Sequence, residues 1–592
     1  MILTVEQRKA VEYHDNLMLA ACPGSGKTRV IISKLSRLLD EVRHTSRMVG
    51  CVTYTNSAVH EIEGRLRQNV QPGDEINYDI CTIHSFCLNY IFRPFCHLIN
   101  GYKKGFSVLT PESDEYEKFA SIIFSKMGIQ QPSHIEILSL SELRVTLAGQ
   151  PTGNPIERGL LTPEIALEYW LMIKAKGYVD FSNIIYYSLL LLRENQYILS
   201  YLSAKFAWIL VDEFQDTTDL QVEILSLIAG VNRTKLMLVG DPHQSIFRFA
   251  GARPDLAENF AAKINARTDI SLTVNFRSSQ PIIELAQVLI PRSPVMSAKG
   301  SSIKFTEKPR WIHGANLFEV ITDHFLPAIE GLDIPLGDSA ILAPTWFSLF
   351  PLGRMLREYG VRIVGPGARP YRRNIYFAPL AEQICGYLVD RRPESIASIE
   401  RTIFNTILDL TGRSYYDLFS YKGRVIVYRL LQHADSLAKL FSGGVDWLEE
   451  AAKAFANVLF YEEYLTTNEK NKLVLSVEEM KRDMLRNRVD TQNLTIEDLG
   501  IYASPHSALK LASLHFSKGH EYMAVAMIDL HEGRIPFYQS QTVDDIEEAK
   551  RLFYVGMTRA KRLLLFITDD SGKRNGPSRF LCNGTGIGIC DS

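Results

Sequence analysis

Residues 21–28 read Ala-Cys-Pro-Gly-Ser-Gly-Lys-Thr, residue types and a spacing that suit a phosphate cradle. Gly24 and Gly26 let the backbone turn tightly, so that successive N–H groups can converge on phosphate oxygens. Lys27 supplies a charge for the β- and γ-phosphates, and Thr28 offers a hydroxyl to Mg2+. The apolar run Leu17-Met18-Leu19-Ala20 predicts a strand before this loop. Apolar spacing at Val30, Ile31, Lys34, Leu35, Leu38 and Leu39 predicts a helix after it, whose N-terminus adds to the anion site. The strict pattern opens with Gly, and here Ala21 holds that place.

A second constellation ends another apolar run. Trp208-Ile209-Leu210-Val211 leads straight into Asp212 and Glu213. A buried strand there would deliver Asp212 to a metal and Glu213 to the attacking water. Further on, Leu236-Met237-Leu238-Val239-Gly240 precedes Asp241-Pro242-His243-Gln244-Ser245-Ile246-Phe247-Arg248-Phe249, a polar sensor set beside aromatic rings. Tyr54-Thr55-Asn56 and Thr82, His84 and Ser85 follow two more predicted strands, Met48–Val52 and Ile80–Ile83. In open parallel sheets that carboxyl edge is where ligands collect, so these residues are candidates to hold a phosphate backbone.

The elements that must position these groups are strands alternating with helices. Their total of 592 residues is too long for one core. With 46% hydrophobic and 22% charged residues, no apolar run near 18 residues and no secretory start, the expectation is a cytoplasmic protein with no membrane partner. A net charge of -2 excludes a globally basic nucleic-acid binder and leaves a local groove with aromatic stacking. The eight cysteines form no Cys-x-x-Cys pair and read as small buried hydrophobes, Cys81, Cys87 and Cys96 included. From about residue 90 to 180, and again from about 370 to 505, strand alternation gives way to helical spacing.

In order along the chain, these blocks resemble the superfamily 1A helicases of the UvrD/Rep/PcrA family over about residues 2–581. They are Leu3–Gln7, the phosphate loop, Thr55-Asn56, Val211–Asp216, Val239–Ile246, Ser513–Glu521 and Glu547–Ala560. The resemblance implies an α/β fold with two RecA-like P-loop cores, parallel sheets with flanking helices, each interrupted by a mainly helical insertion. The expected boundaries are 1–89 and 181–268 for the first core, with 90–180 inserted. The second core is expected at 269–370 and 506–582, with 371–505 inserted, and 583–592 as a flexible tail.

The resemblance also implies site roles. ATP would be held by Gln7 at the adenine, by Ala21, Cys22, Pro23, Gly24, Ser25, Gly26, Lys27, Thr28 and Arg29, by Phe276 stacking on the base, and by Glu521 near the ribose. Mg2+ would take Thr28 and Asp212. Catalysis would use Lys27, Glu213, Gln244 as γ-phosphate sensor, and Arg277 and Arg559 from the second core as the cores close. Tyr54, Thr55, His84, Phe249, Ser513 and His515 match positions that track single-stranded DNA. Departures from the family pattern are Phe276 for Tyr, Arg248-Phe249-Ala250-Gly251-Ala252 for Arg-Trp-Arg-Gly-Ala, and His520 for Leu. The implied function is an ATP-dependent translocase or helicase on single-stranded or tailed DNA, moving 3′ to 5′. The alternative is a DNA- or nucleotide-gated regulatory ATPase beside a partner nuclease or other effector, similar to the helicase-like subunits of phage-defence systems such as Gabija.

Overall fold

Alternate residues of the buried strands feed two different hydrophobic clusters, which is why these runs read as nearly continuous apolar stretches. Trp208, Leu210, Met237 and Val239 join the cluster built on Leu17, Leu19, Val30, Ile31, Leu35 and Leu38. Ile209, Val211, Leu236 and Leu238 join the other, with Phe86, Phe92, Phe124 and Tyr169. The computed structural model describes residues 3–582 apart from 68–69, 72, 112, 232, 373–375, 412, 414, 541 and 571–574. It does so without the side chains of 114, 134, 249, 393–394, 416–417 and 582.

Among the described residues the chain divides into two units, 1–305 with 542–554, and 306–541 with 555–592. The first holds a six-stranded sheet in the order Ser271–Leu272, Leu17–Ala21, Lys235–Gly240, Phe206–Val211, Met48–Thr53, Tyr78–Thr82. Every pairing in it is parallel. The second holds another six-stranded parallel sheet, in the order Arg310–Gly314, Ala560–Asp569, Tyr522–Met527, Ser339–Ala343, Leu509–Ser513, Ile363–Val364. This is the expected α/β architecture of two parallel sheets with flanking helices.

The boundaries differ from expectation in three places. Residues 269–305 belong to the first unit, because Ser271–Leu272 extends the first sheet beside Leu17–Ala21. Residues 542–554 also belong there: Arg551 donates to the Ser245 carbonyl at 2.8 Å, and Arg248 pairs with Asp544 at 2.6 Å. Helix Val543–Met557 is therefore divided between the units. Residues 90–180 are mainly helical, as expected, but their core is continuous with that of the sheet. The stretch 371–505 instead forms helices around a cluster of its own, with Trp447, Phe455, Leu473 and Met480 at its centre. The six described cysteines are free and buried; Cys582 and Cys590 lie outside the described side chains, and the expected tail outside the described residues. Among the described residues no helix is long and apolar enough to cross a membrane.

Candidate nucleotide and nucleic-acid site

The phosphate loop leaves strand Leu17–Ala21 and enters helix Lys27–Val42 through two left-handed glycines, Gly24 at φ +66° and Gly26 at φ +82°. Neither position has room for a side chain. A Cβ on Gly24 would lie 2.5 Å from Arg277 Cβ and 2.6 Å from Asn275 Oδ1, and one on Gly26 would lie 2.8 Å from Gln7 Nε2. The loop is braced on both sides. Gln7 gives Nε2 to the Ser25 carbonyl at 2.8 Å and takes the Thr4 N–H on Oε1 at 3.0 Å, as part of a capping box. One amide hydrogen and one lone pair remain to it for a ligand. On the other side the Phe276 N–H donates to the Gly24 carbonyl at 2.8 Å, and Cys22 N–H to Leu272 O at 3.0 Å. Asn275 Oδ1 accepts from the N–H groups of Arg277 and Ser278, while its buried Nδ2 has no partner among the described residues. The Arg29 guanidinium lies 6.0 Å from the Phe276 ring centre.

Lys27 and Thr28 open the helix, and Lys27 Nζ pairs with Glu213 at 2.9 Å. Burial opposes the lysine's charge, but Glu213, Asp212 and Asp241 outweigh it and hold the ammonium protonated. Burial, reinforced by the Glu213 charge, raises the Asp212 carboxyl. Glu213 itself sits at φ +50°, a strained conformation for a residue with a side chain and one that clusters at functional sites. Gln215 fixes it, donating Nε2 to Glu213 at 2.5 Å while Oε1 accepts the Asp241 N–H at 2.9 Å.

Behind the carboxylates lies a buried network. Gln244 donates Nε2 to Asp241 at 2.6 Å, and Arg292 pairs with the same carboxylate at 2.5 Å. Arg292 also donates Nε to the Tyr554 hydroxyl at 2.9 Å. Asp241 and Gln244 are 1% and 3% exposed. The expected sensor is thus anchored by a guanidinium rather than loose at a strand end.

The carboxyl edge of the same sheet carries Tyr54, Thr55 and His84. Tyr54 stacks on Phe247, centroids 5.1 Å apart and 23° between planes. Thr55 caps the next helix by accepting the Ala58 N–H at 3.2 Å. His84 meets Phe181 edge-on at 6.0 Å, and burial lowers its pKa, keeping the ring neutral at pH 7. The Phe249 side chain lies outside those described.

Residues 3–265 match the UvrD/REP helicase N-terminal domain family, and residues 461–571 match the UvrD-like helicase C-terminal domain family. The chain belongs to the UvrD/Rep-like superfamily 1A helicases. It is similar to "ATP-dependent DNA helicase Rep" of Salmonella typhimurium, 27% identical with 98% of this chain and 94% of the relative covered. The Escherichia coli protein of that name is 26% identical at the same coverage, and "Probable DNA helicase II homolog" of Mycoplasma pneumoniae 24%, with 98% and 86% covered.

In this UvrD/Rep-like chain the remaining expected residues fall in the second unit, except Arg277, which stands beside Gly24 in the first. That corrects its expected origin in the second core: the segment that carries it, 269–305, belongs to the first unit. Arg559 is 2% exposed, and its guanidinium donates to the carbonyls of Val555 at 2.9 Å and His520 at 3.2 Å. Glu521 pairs with Lys561 at 2.7 Å. Ser513 ends strand Leu509–Ser513 and accepts the Phe516 N–H at 3.2 Å, and burial pushes His515 down to about 4. Sequence reasoning assigned no role to Gln215, Asn275, Asp241, Phe247, Arg292 and Tyr554. All except Arg292 lie inside a motif block or beside a candidate residue, so their neighbours were a signal. Nothing local marks Arg292, whose partners stand 51 and 262 positions away.

Proposed function

We propose that this chain is an ATP-driven translocase on single-stranded DNA, moving 3′ to 5′ and separating tailed duplexes. The observation that carries the reading is the Lys27–Glu213 pair at the mouth of a glycine cradle, with Asn275–Arg277 pinned across that cradle. ATP phosphates would draw Lys27 toward the β/γ-oxygens and release Glu213 to orient a water for in-line attack. Gln244 would report the γ-phosphate, held in place by Asp241. Gln7 and Phe276 would bracket the base, with the other residues of 21–29 lining the phosphates, and Arg277 and Arg559 would offset charge developing on the γ-phosphate. Glu521 would serve the ribose.

The donor set fits Mg2+: a hydroxyl on Thr28 and a buried carboxylate on Asp212, both hard oxygen ligands. Bound there with the phosphates, Mg2+ would neutralise negative charge on the β- and γ-oxygens. The strand would lie along Tyr54, Thr55, His84, Phe249, Ser513 and His515, stacking bases on the aromatic rings. The reading is supported by family membership and by relatives named as ATP-dependent DNA helicases. The test is ATP hydrolysis with and without an oligothymidylate, alongside displacement of duplexes carrying a 3′ or a 5′ tail. Stimulated hydrolysis and displacement of the 3′-tailed duplex alone are expected. Hydrolysis indifferent to the strand would overturn the proposal.

A further inference from the structure

We infer that the second unit holds a binding site of its own for a small polyphosphate anion of nucleotide size, in a cavity of about 420 Å³ walled by arginines. The phosphate loop is no part of it and lies in the first unit. Three segments line the cavity: helix Trp346–Glu358, the loop 365–372 and the end of the insertion helix Thr467–Arg486. The loop lies tight on the first of these helices. A Cβ on Gly353 would stand 2.2 Å from the Pro366 carbonyl oxygen, and one on Gly367, at φ +75°, would stand 2.3 Å from that of Phe350. The loop also holds the insertion helix, because Asn487 donates Nδ2 to the Pro370 carbonyl at 2.8 Å and Arg372 pairs with Asp483 at 2.8 Å.

What marks this cavity is its unbalanced charge. Arg354, Arg357, Arg369, Arg372 and Arg486 line it with a single carboxylate, Asp483. Arg372 and Arg486 share Asp483, the latter at 3.7 Å, and Arg369 pairs with Glu382 at 2.7 Å. Among the described residues Arg354 and Arg357 meet no carboxylate. Arg357 donates instead to the carbonyls of Asn487 at 3.0 Å and Gly367 at 3.4 Å, which carry no compensating charge. Five guanidiniums against two carboxylates leave three positive charges around one cavity, and an anion with several charges would complete the set. A second observation points to the same occupant. Tyr371 also lines the cavity, is 3% exposed, and its buried hydroxyl has no partner among the described residues. Burial raises its pKa well above the usual range, so the O–H stays protonated and able to donate. Guanidinium forks beside a hydroxyl donor suit phosphate oxygens, and Phe350, 49% exposed, adds a ring for a base to stack on. The volume is that of a small-ligand site, which favours a free polyphosphate over a nucleic-acid strand.

The test takes inorganic tripolyphosphate as the probe and phenylglyoxal labelling of the unaltered chain as the first readout, arginine by arginine. Arg354, Arg372 and Arg486 are exposed, and tripolyphosphate is expected to protect all three while an oligothymidylate protects none. Titration calorimetry then measures affinity in a Lys27→Ala background, which removes the charge at the phosphate loop. There Arg354→Glu, at an exposed position, is expected to bind tripolyphosphate at least about tenfold more weakly, the loss of one charge-assisted contact. The same reversal at the exposed Arg401, on helix Pro393–Thr411, is expected to leave affinity unchanged. Equal losses at the two positions would mean diffuse attraction and overturn the inference, as would labelling that tripolyphosphate does not alter. Protection of the three arginines by the oligothymidylate would put them on a strand path and overturn it as well.

Discussion

Asp241 and Arg292 meet at 2.5 Å with the carboxylate almost wholly buried, which makes this pair the most exposed to disruption of any in the site. Removing one partner from a buried pair leaves the other charge uncompensated, a cost of about 3–5 kcal/mol. Arg292→Met should therefore destabilise the first unit by about that much, and Asp241→Asn in the same chain should recover most of the loss. Denaturation of the single and double variants measures it. Additive losses would show that the pair is not coupled. The histidines make a different prediction. Burial depresses both His84 and His515, favouring the neutral ring in the folded chain, so each would contact a strand without charge. The salt slope of strand binding should be the same at pH 6.5 and 8. A slope steeper by about 0.7 at the lower pH would mean a histidine protonating on a phosphate. Individual residues were legible in the sequence where they stood in a spaced motif, as Lys27, Thr28, Asp212 and Glu213 do. Arg292 was not, because nothing in its own neighbourhood indicates what it reaches in the fold.

At the scale of elements, the phosphate loop shows most directly how sequence becomes geometry. Its strand, turn and helix were readable from apolar runs and two glycines, because each is specified locally. The segment 269–305 was not, since a two-residue strand carries no record of which sheet it will join. Yet that segment decides why Gly24 must be glycine: Asn275 and Arg277 occupy the space a Cβ would need. Gly24→Ala forces a left-handed residue at about 1–2 kcal/mol and pushes Asn275–Arg277 off the loop. It should weaken nucleotide binding by at least about tenfold, equal to about 1.4 kcal/mol, and the same substitution at the open Gly64 should leave it unchanged. Nucleotide affinity by fluorescence measures both. Unaltered affinity in Gly24→Ala would mean that the 275–277 segment does not shape the cradle.

For the whole molecule, the chain builds two parallel sheets, the first with the phosphate loop, Tyr54 and the Asp212–Glu213 pair at its carboxyl edge, and each sheet takes a helical insertion in its own way. The first insertion shares a core with its sheet, whereas the second closes a core of its own. Two sheets and two insertions were evident from alternation of apolar runs and helical spacing. Their merging or separation depends on side chains meeting across hundreds of positions, which periodicity does not encode. The central claim is that this architecture hydrolyses ATP on a single strand through a water oriented by Glu213. Glu213→Gln keeps the shape and the Gln215 neighbour but removes the charge that pairs with Lys27. With nucleotide affinity and strand-stimulated phosphate release measured on one preparation, the account predicts retained binding and turnover reduced by about a hundredfold or more. Near-normal turnover on saturating single-stranded DNA would contradict it.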